Sequence, residues 1–433
     1  MKLSKKIEPD FIDLPNKRTV VYYGIMTVLT VLLMQPGIEL PMILRLVYMA
    51  LIFAPLFSAK KYTPFVVTAF YTVSYCSFVG LLPFSIGYPF VCLLVLWYTS
   101  RQRGKIPPII IITSIYCFII SFFFWDFEQT GVLWFGVLMA FMISAYIKTK
   151  QDLTILAYAF VTIAFVLSVV FLINRDVFMY TYTHSAEAMD RSGWMNPNDL
   201  GGTIGCGTVV AMGMLLNGKK KRFFFLAYLI VTIGLSFMVL ALNASRGALL
   251  AVMVGSALFI IINNRISLFY KILVVFLAAL FLFFLYNNSY FDLLEVRLLE
   301  EADEQSGGSR FGIWTQKLDA FKRYDTMSHL FGIGQLDCKE LGTRHIRTHN
   351  DFLTAFVAYG YIGLFVFVMT VLYPLYHKMS KNKLLATLPY MSFLLIECFV
   401  LEPLMRGYFV FIVFYLFVSK TSSLYVNEAN SEQ

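Results

Sequence analysis

The chain has 433 residues, of which 59% are hydrophobic and only 14% are charged, and its mean hydropathy is +0.71. A soluble protein of this length could not hide so much apolar surface, because much of any folded surface faces the solvent. The composition therefore excludes a soluble globular protein and predicts that lipid is the solvent.

The formal net charge of +9 comes from short basic clusters that lie between apolar runs. These clusters fall at 60–61, 101–105, 148–150, 219–222 and 378–383. By the positive-inside rule they mark cytoplasmic loops, which places both termini in the cytoplasm and the loops 174–198 and 287–350 outside it. No basic stripe is interleaved with aromatic residues, so nucleic acid is not an expected partner, whereas membrane lipids are.

The apolar runs predict the fold class, because a spanning helix needs about 20 apolar residues. We predict an all-α protein, a polytopic transmembrane helical bundle of about 12–14 spans. The expected spans are 19–35, 40–57, 62–82, 84–100, 106–124, 130–147, 153–173, 199–216, 223–243, 247–263, 268–286, 351–376, 384–400 and 407–419.

The late extracytoplasmic loop, 287–350, contains two patterns of apolar residues at helical spacing. The first pattern begins at Phe291, and the second runs from Phe311 through Trp314 to Phe321. Ser309 stands where an N-cap is expected. The loop is therefore predicted to contain two short amphipathic helices that lie across the outer membrane face.

Arg246 stands at the predicted join between two hydrophobic helices. A charge at bilayer depth costs about 2.5–3.5 kcal/mol on insertion scales, so its side chain is expected at the surface or in a wet cavity. Ser245 is expected to cap the following helix, whose N-terminus favours a bound phosphate together with the guanidinium. The alternative is a tight turn with an arginine that touches lipid headgroups.

Two further outer-side arginines are candidates for anion binding. Arg310 is predicted in the first turn of a helix, one turn before Trp314 and near Lys317, where it offers a second cationic contact. Arg191 precedes a turn signal at Pro197 and is expected to line the same cavity. The alternatives are a solvated arginine beside an interfacial tryptophan for Arg310, and a simple turn for Arg191.

His349 lies where the long loop re-enters the membrane, beside Asp351. Histidine is the side chain whose ordinary pKa permits proton transfer near neutral pH, so His349 is a candidate base for a sugar hydroxyl. The alternative is a polar surface residue, like its neighbours Arg344 and His345.

Several kinds of site have no support in the sequence. There is no Gly-rich phosphate loop of the Walker type, no Asp-x-Asp pair on an outer loop, and no cysteine or histidine spacing typical of a metal site. We therefore predict no metal site and no cofactor.

Together these motifs resemble the O-antigen ligase and polymerase superfamily of bacterial envelope polysaccharide enzymes. The resemblance covers roughly 190–370, and the order of its elements is more specific than any one of them. Its residues are Arg191-Ser-Gly, Asn196-Pro-Asn198, Ser245-Arg246-Gly247, Ser309-Arg310 with Trp314, Phe331-Gly-Ile-Gly334, His349-Asn350, Gly360 and Gly363-Leu364.

The resemblance implies a metal-independent glycosyltransferase on the periplasmic side of the bacterial inner membrane. It implies a donor glycan linked to undecaprenyl pyrophosphate and an acceptor that is lipid A core, for a ligase, or another lipid-linked glycan, for a polymerase. Arg246 and Arg310, with Arg191, would bind the pyrophosphate, and His349 would be the catalytic base. The expected span number exceeds the dozen typical of the ligases.

The resemblance also divides the chain into three regions. Residues 1–190 are expected to form the N-terminal transmembrane helices, 191–370 the O-antigen ligase-like catalytic region, and 371–433 the C-terminal transmembrane helices and the cytoplasmic tail. The alternative function is a lipid-linked oligosaccharide flippase or another polysaccharide transporter. That alternative predicts internal symmetry and polar residues at the bilayer midplane. The sequence does not separate ligase from polymerase.

Overall fold

The computed structural model describes residues 17–33, 41–53, 108–124, 147, 149–177, 197–217, 223–243, 245–263, 267–292, 295, 310–341, 347–376, 381–405 and 409–429, which contain helices and no strand. The helices are α1 Lys17–Leu33, α2 Met42–Phe53, α3 Pro108–Phe123, α4 Lys150–Ile173, α5 Pro197–Asn217, α6 Phe223–Leu242, α7 Arg246–Ile262, α8 Leu268–Asn287, α9 Arg310–Phe321, α10 Thr326–Phe331, α11 Gln335–Glu340, α12 Asp351–Tyr376, α13 Lys381–Val400 and α14 Phe409–Ala429. The predicted all-α polytopic bundle is confirmed. The predicted spans at 62–82 and 84–100, and nearly all of 130–147, lie outside the described residues.

Five of the described helices are long and apolar enough to cross a membrane, namely α4, α5, α6, α8 and α12. Shorter apolar segments occur in α3, α7, α13 and α14. Helix α8 leaves almost its whole apolar surface uncovered, including Phe276 and Phe283. A patch of that size on a soluble protein would drive association, but in a bilayer it faces hydrocarbon.

The centre of the bundle is built around α5, which packs against α4, α6 and α7, while α13 packs against α7. Helix α5 is rich in glycine, and a Cβ atom at Gly207 would lie 2.1 Å from the carbonyl oxygen of Phe160 on α4. Small residues allow two helix backbones to approach this closely, which is how helices associate in lipid. Helix α13 brings Phe393 against α5, and its ring meets that of Phe414 on α14 edge to face.

Helix α12, predicted as one continuous span, is interrupted at Gly360, where φ is 71° and ψ is −170°. An interruption leaves carbonyl groups of the preceding turn without helical N–H partners. The backbone N–H groups of Ile333 and Gly334 donate to the carbonyl oxygens of residues 357 and 358, at 3.1 and 3.0 Å. The segment between α10 and α11 therefore joins the broken helix by main-chain hydrogen bonds.

The next carbonyl group of the interrupted turn belongs to Tyr359. It accepts a hydrogen bond of 2.8 Å from the hydroxyl group of Tyr116 on α3. Because lipid offers no donors to a free carbonyl, these three hydrogen bonds are what permits the interruption in an apolar helix.

The segment between α10 and α11 contacts the break in α12, and we call this contact the crossing. Glycine is required there for conformational and steric reasons. Gly332, Gly334 and Gly360 all have positive φ, which side-chain-bearing residues rarely adopt. A Cβ atom at Gly332 would lie 2.2 Å from the carbonyl oxygen of Ala358, and one at Gly360 would lie 2.3 Å from the backbone of Leu330. The glycines of the Phe331-Gly-Ile-Gly334 motif and Gly360 thus belong to a single contact.

We expect Gly360→Ala to destabilise the folded protein, because the Cβ atom would strike the Leu330 backbone and because strained backbone costs of order 1–3 kcal/mol. The matched control is Gly234→Ala on α6, where an added Cβ meets nothing within 4 Å. Thermal unfolding of detergent-solubilised protein, followed by size-exclusion chromatography, should show a lower midpoint for Gly360→Ala alone. Equal midpoints would contradict this account of the crossing.

Candidate functional site

The N-termini of α5 and α7 meet at one end of the bundle. The Asn243 side-chain amide donates to the carbonyl oxygen of Pro197, and the Ser245 hydroxyl donates to the Asn198 side-chain oxygen at 3.4 Å. Ser245 therefore occupies the N-cap position of α7, but its side chain makes no capping hydrogen bond. Arg246, the first residue of α7, is half-buried at this junction.

Glu397 on α13 reaches the same end of the bundle. Its side chain is 1% exposed, and its Oε2 atom would lie 3.2 Å from a Cβ atom at Gly202 of α5. Its Oε1 atom has no hydrogen-bond partner among the described residues. The charged groups that act on this carboxyl are the Arg310 guanidinium and the Asp199 carboxylate. The structure thus brings Arg310 near the N-terminus of α5.

Helix α9, which begins at Arg310, is attached to the segment before α12 through Trp314. The Trp314 Nε1 atom donates to the carbonyl oxygen of Thr348 at 2.7 Å, and its ring meets that of Phe399 edge to face, with centroids 5.2 Å apart. Arg310 lies one helical turn before Trp314. The tryptophan therefore fixes the end of α9 that carries the arginine.

Lys317 is the second attachment of α9. Its side chain is 2% exposed, and its Nζ atom donates to the carbonyl oxygens of Cys338, Lys339 and Leu341, at 2.6, 3.3 and 2.8 Å. Burial lowers the pKa of the Lys317 ammonium from its ordinary value, and the negative charges of nearby acidic groups oppose that effect. The structure places the Lys317 ammonium on backbone carbonyls at the end of α11, so it fixes α9 to that helix.

His349 lies in the turn that leads into α12 and is half-buried, with a φ of 51°. The next residue, Asn350, caps α12, because its side-chain oxygen accepts the Leu353 N–H at 3.0 Å. A non-glycine residue in this region of backbone space is held there by its surroundings. Asn350 on one side and the Trp314 hydrogen bond on the other supply those constraints.

Asp351, the first residue of α12, binds backbone groups of another segment. Its two oxygens accept the backbone N–H groups of Leu404 and Met405, at 3.0 and 2.8 Å. Asp351 therefore holds the turn that follows α13 against the start of α12.

A buried polar chain lies behind His349. The Thr354 hydroxyl group donates to the Glu402 carboxylate and also makes a hydrogen bond with the Thr348 hydroxyl. Glu402 is 2% exposed and has a φ of 69°. Nothing in the sequence marks this residue, because it follows an apolar helix and belongs to no motif. Only the tertiary structure places its carboxylate next to the histidine turn.

Three of the four predicted site residues are described, and each lies on a segment that contacts the end of α13 or the turn that follows it. Arg246 begins α7, Arg310 begins α9, and His349 precedes α12, all at the same end of the bundle. Arg191 lies outside the described residues. Among the described residues, no group of three or more histidine, cysteine or acidic side chains is arranged to hold a metal ion.

Residues 231–368 match the family model described as O-antigen ligase. This segment includes the Arg246, Arg310 and His349 positions and falls within the region predicted to be catalytic, so the predicted resemblance to the ligase and polymerase superfamily is confirmed. The comparison with curated proteins gave no match. Glu397 and Glu402 follow the matched segment.

We expect Lys317→Met to loosen α9, because three carbonyl groups lose a charged donor, at a cost of roughly 2–3 kcal/mol. Lys322→Met on the same helix is the control, since its ion pair with Asp319 is exposed and such pairs contribute about 0–1 kcal/mol. Limited proteolysis of the purified protein should cleave the Lys317→Met variant faster between residues 310 and 347. Equal cleavage rates of the two variants would show that Lys317 does not anchor this segment.

Proposed function

We propose that this protein is a membrane glycosyltransferase that passes a glycan from undecaprenyl pyrophosphate to a sugar hydroxyl group. The observation that carries the proposal is the arrangement of the Arg246, Arg310 and His349 segments around the end of α13, all within the residues that match the O-antigen ligase family model. We place this end at the periplasmic face of the bacterial inner membrane, with both chain termini in the cytoplasm. The family match does not favour a flippase.

The donor diphosphate would bind between Arg246 and Arg310. A guanidinium group matches phosphate oxygens with two parallel hydrogen bonds, and the N-terminus of α7 adds backbone N–H groups and a positive dipole end. Glu397, which is within electrostatic range of Arg310, would hold that guanidinium in place before the donor arrives. Arg191, by its position in the sequence, is proposed as a third contact.

In the transfer step, the acceptor oxygen forms a bond to the anomeric carbon while the bond from that carbon to the phosphate oxygen breaks. The leaving undecaprenyl pyrophosphate takes the bonding electron pair, and the fixed arginines stabilise its growing charge. The acceptor proton passes to the His349 imidazole, whose ordinary pKa suits this role near neutral pH.

We propose that the reaction needs no metal ion. Diphosphate is an activated leaving group, and two fixed guanidinium groups supply the positive charge that a divalent cation would otherwise provide. The membrane setting fits a donor whose lipid tail remains in the bilayer while its diphosphate lies at the interface.

Reconstitution in liposomes with a lipid-pyrophosphate-linked glycan tests the proposal. The donor is supplied either alone or with a lipid A core acceptor, and each reaction is run with and without a chelator. We expect glycan transfer that withstands the chelator. Lengthening of the glycan without core would identify a polymerase, and a single transfer to core would identify a ligase. No transfer in either reaction would refute the proposal.

His349→Ala should abolish transfer, because no base remains to accept the proton of the sugar hydroxyl. The control is His329→Gln on α10, whose ring nitrogen pairs with the Phe321 carbonyl, away from the His349 turn. Transfer rates are compared at equal amounts of protein in the membrane. Substantial transfer by the His349→Ala variant would exclude the role of general base.

Arg246→Lys should reduce transfer by at least about tenfold, because one ammonium group cannot make the two parallel hydrogen bonds of a guanidinium group. The control is Arg323→Lys, which makes the same change of side chain at an exposed position just after α9, away from the site. The initial rate at low donor concentration is the quantity to measure. If both variants retained the rate of the unchanged protein, Arg246 would not bind the diphosphate.

A further inference from the structure

Helices α10 and α11 and the short segment that joins them form a helical hairpin, whose tip is held by the crossing. Both helices pack against α12. The tip residues, Gly332, Ile333 and Gly334, are buried. The last two side chains of α10, those of Leu330 and Phe331, are exposed. The hairpin therefore turns its backbone towards α12 and presents apolar side chains outwards.

The depth of the tip in the bilayer follows from its position along α12. A helix rises about 1.5 Å per residue, so Gly360 lies about 24 Å from Tyr376, the last residue of α12. Tyr376 stands just before the predicted cytoplasmic cluster 378–383, which places it at the inner membrane surface. Because the hydrocarbon core of a bilayer is about 30 Å thick, the tip lies about 6 Å below its outer boundary.

Helix α3 gives a second measure of the same depth. It begins at Pro108, just after the predicted cytoplasmic cluster 101–105. A Cβ atom at Gly334 would lie 2.9 Å from the side chain of Phe124, at the other end of α3. The rise from Pro108 to Phe124 is again about 24 Å. Two helices therefore place the tip at one level, in the outer part of the hydrocarbon core.

The end of α9 lies at the outer boundary of the hydrocarbon core. The Phe321 ring meets the Phe356 ring of α12 edge to face, with centroids 5.2 Å apart. Phe356 stands about 30 Å from the cytoplasmic end of α12, one turn further out than Gly360. The two residues after α9, Lys322 and Arg323, are exposed, and such side chains reach from this level to the lipid headgroups. The chain therefore descends from the headgroup region to the tip along α10.

The backbone of the hairpin meets the requirement that lipid imposes. Non-helical backbone is tolerated at membrane depth only where protein buries it and satisfies its polar groups. The Gly332 N–H donates to the Ser328 carbonyl at 2.7 Å, and the next two N–H groups donate to α12. The Cys338 N–H donates to the Gly334 carbonyl at 3.1 Å. The tip is therefore bonded within the protein, as a segment below the membrane surface has to be.

We propose that the hairpin is a re-entrant element that inserts into the outer leaflet of the bilayer and has lipid acyl chains as its partner. Its lipid-facing surface is formed by Met327, Leu330 and Phe331, and it continues beyond the break in α12 with the exposed side chains of Tyr361 and Phe365. Contact with acyl chains removes this apolar surface from water, which stabilises the inserted position.

Insertion of the hairpin has a consequence for the proposed site. Helix α9 is tied to the hairpin by Lys317 and to the segment before α12 by Trp314. It is thereby held across the headgroup region, with Arg310 at its outer end, which is the level of a diphosphate on a membrane lipid. This consequence rests on the proposed function, whereas the insertion itself does not.

The test measures the depth of single bimane labels by fluorescence quenching in liposomes. The labels are attached to Arg323→Cys, Met327→Cys and Phe331→Cys, three exposed positions along the descent, in the full chain with its natural cysteines replaced by alanine. Leu330→Cys repeats the measurement at the tip, and Phe276→Cys, on the uncovered face of α8, is the reference for hydrocarbon. Each variant is used only if it elutes from size-exclusion chromatography as the unchanged protein does. The quenchers are iodide in the water and bromine atoms on the lipid acyl chains.

We expect brominated lipid to remove more fluorescence at position 327 than at 323, and most at 330 and 331, where the loss should approach that at 276. Iodide should quench these positions in the opposite order. Bromine on the upper part of the acyl chain should quench the labels at the tip more than bromine near the chain end does. The label at 276, near the middle of α8, should show the reverse preference.

Three results would overturn the proposal. Iodide quenching at 331 as strong as that at 323 would place the hairpin in water, above the membrane. Equal quenching by lipid at 323, 327 and 331 would show a hairpin that lies flat along the interface. A label at 331 that neither quencher reaches would show that protein, such as a second copy of the chain, covers the surface assigned to lipid. None of these results depends on whether the protein transfers a glycan.

Discussion

Inside a bilayer, a helix that breaks exposes backbone carbonyl groups that lipid cannot hydrate. In this chain the break in α12 at Gly360 is possible because the Ile333 and Gly334 N–H groups and the Tyr116 hydroxyl satisfy the exposed carbonyls. The same hydrogen bonds attach the segment between α10 and α11 to a membrane helix. That segment leads into α11 and the Lys317 contacts, and so determines where α9 lies. The position of Arg310 thus depends on the satisfaction of backbone carbonyls one element away.

The buried polar side chains at the end of the bundle that carries Arg310 also need hydrogen-bond partners. Buried charges are costly unless they are paired or hydrogen-bonded. Lys317 donates to three carbonyl groups, and Asp351 accepts two backbone N–H groups. Both side chains therefore hold backbone segments in place. Glu397, in contrast, keeps one oxygen without a hydrogen-bond partner within the described part of the chain, and it is influenced by Arg310. Lys317 and Asp351 therefore support the structure around the proposed site, whereas Glu397 has an oxygen available to a ligand.

The sequence predicts the membrane bundle well, because long apolar runs between basic clusters leave few other folds. It also places α9, since Phe311, Trp314 and Phe321 keep helical spacing, and the family match covers the Arg246, Arg310 and His349 positions. It could not show that the glycines at 332, 334 and 360 form one crossing, because their partners are distant in sequence. For the same reason it could not show that Lys317 binds three backbone carbonyl groups or that the Glu402 carboxylate lies beside the histidine turn.

We propose that Arg310 binds the donor diphosphate, and that His349 accepts the proton of the acceptor hydroxyl, on the non-cytoplasmic side of the membrane. Labelling of Arg310→Cys and His349→Cys variants with a membrane-impermeant thiol reagent tests it most directly, in a chain whose natural cysteines are replaced by alanine. Lys219→Cys, in a predicted cytoplasmic loop, is the comparison. We expect spheroplasts to be labelled at 310 and 349 without permeabilisation, and at 219 only after it. Labelling at 219 alone in intact spheroplasts would contradict the account, because the diphosphate would then lie across the bilayer from its arginines.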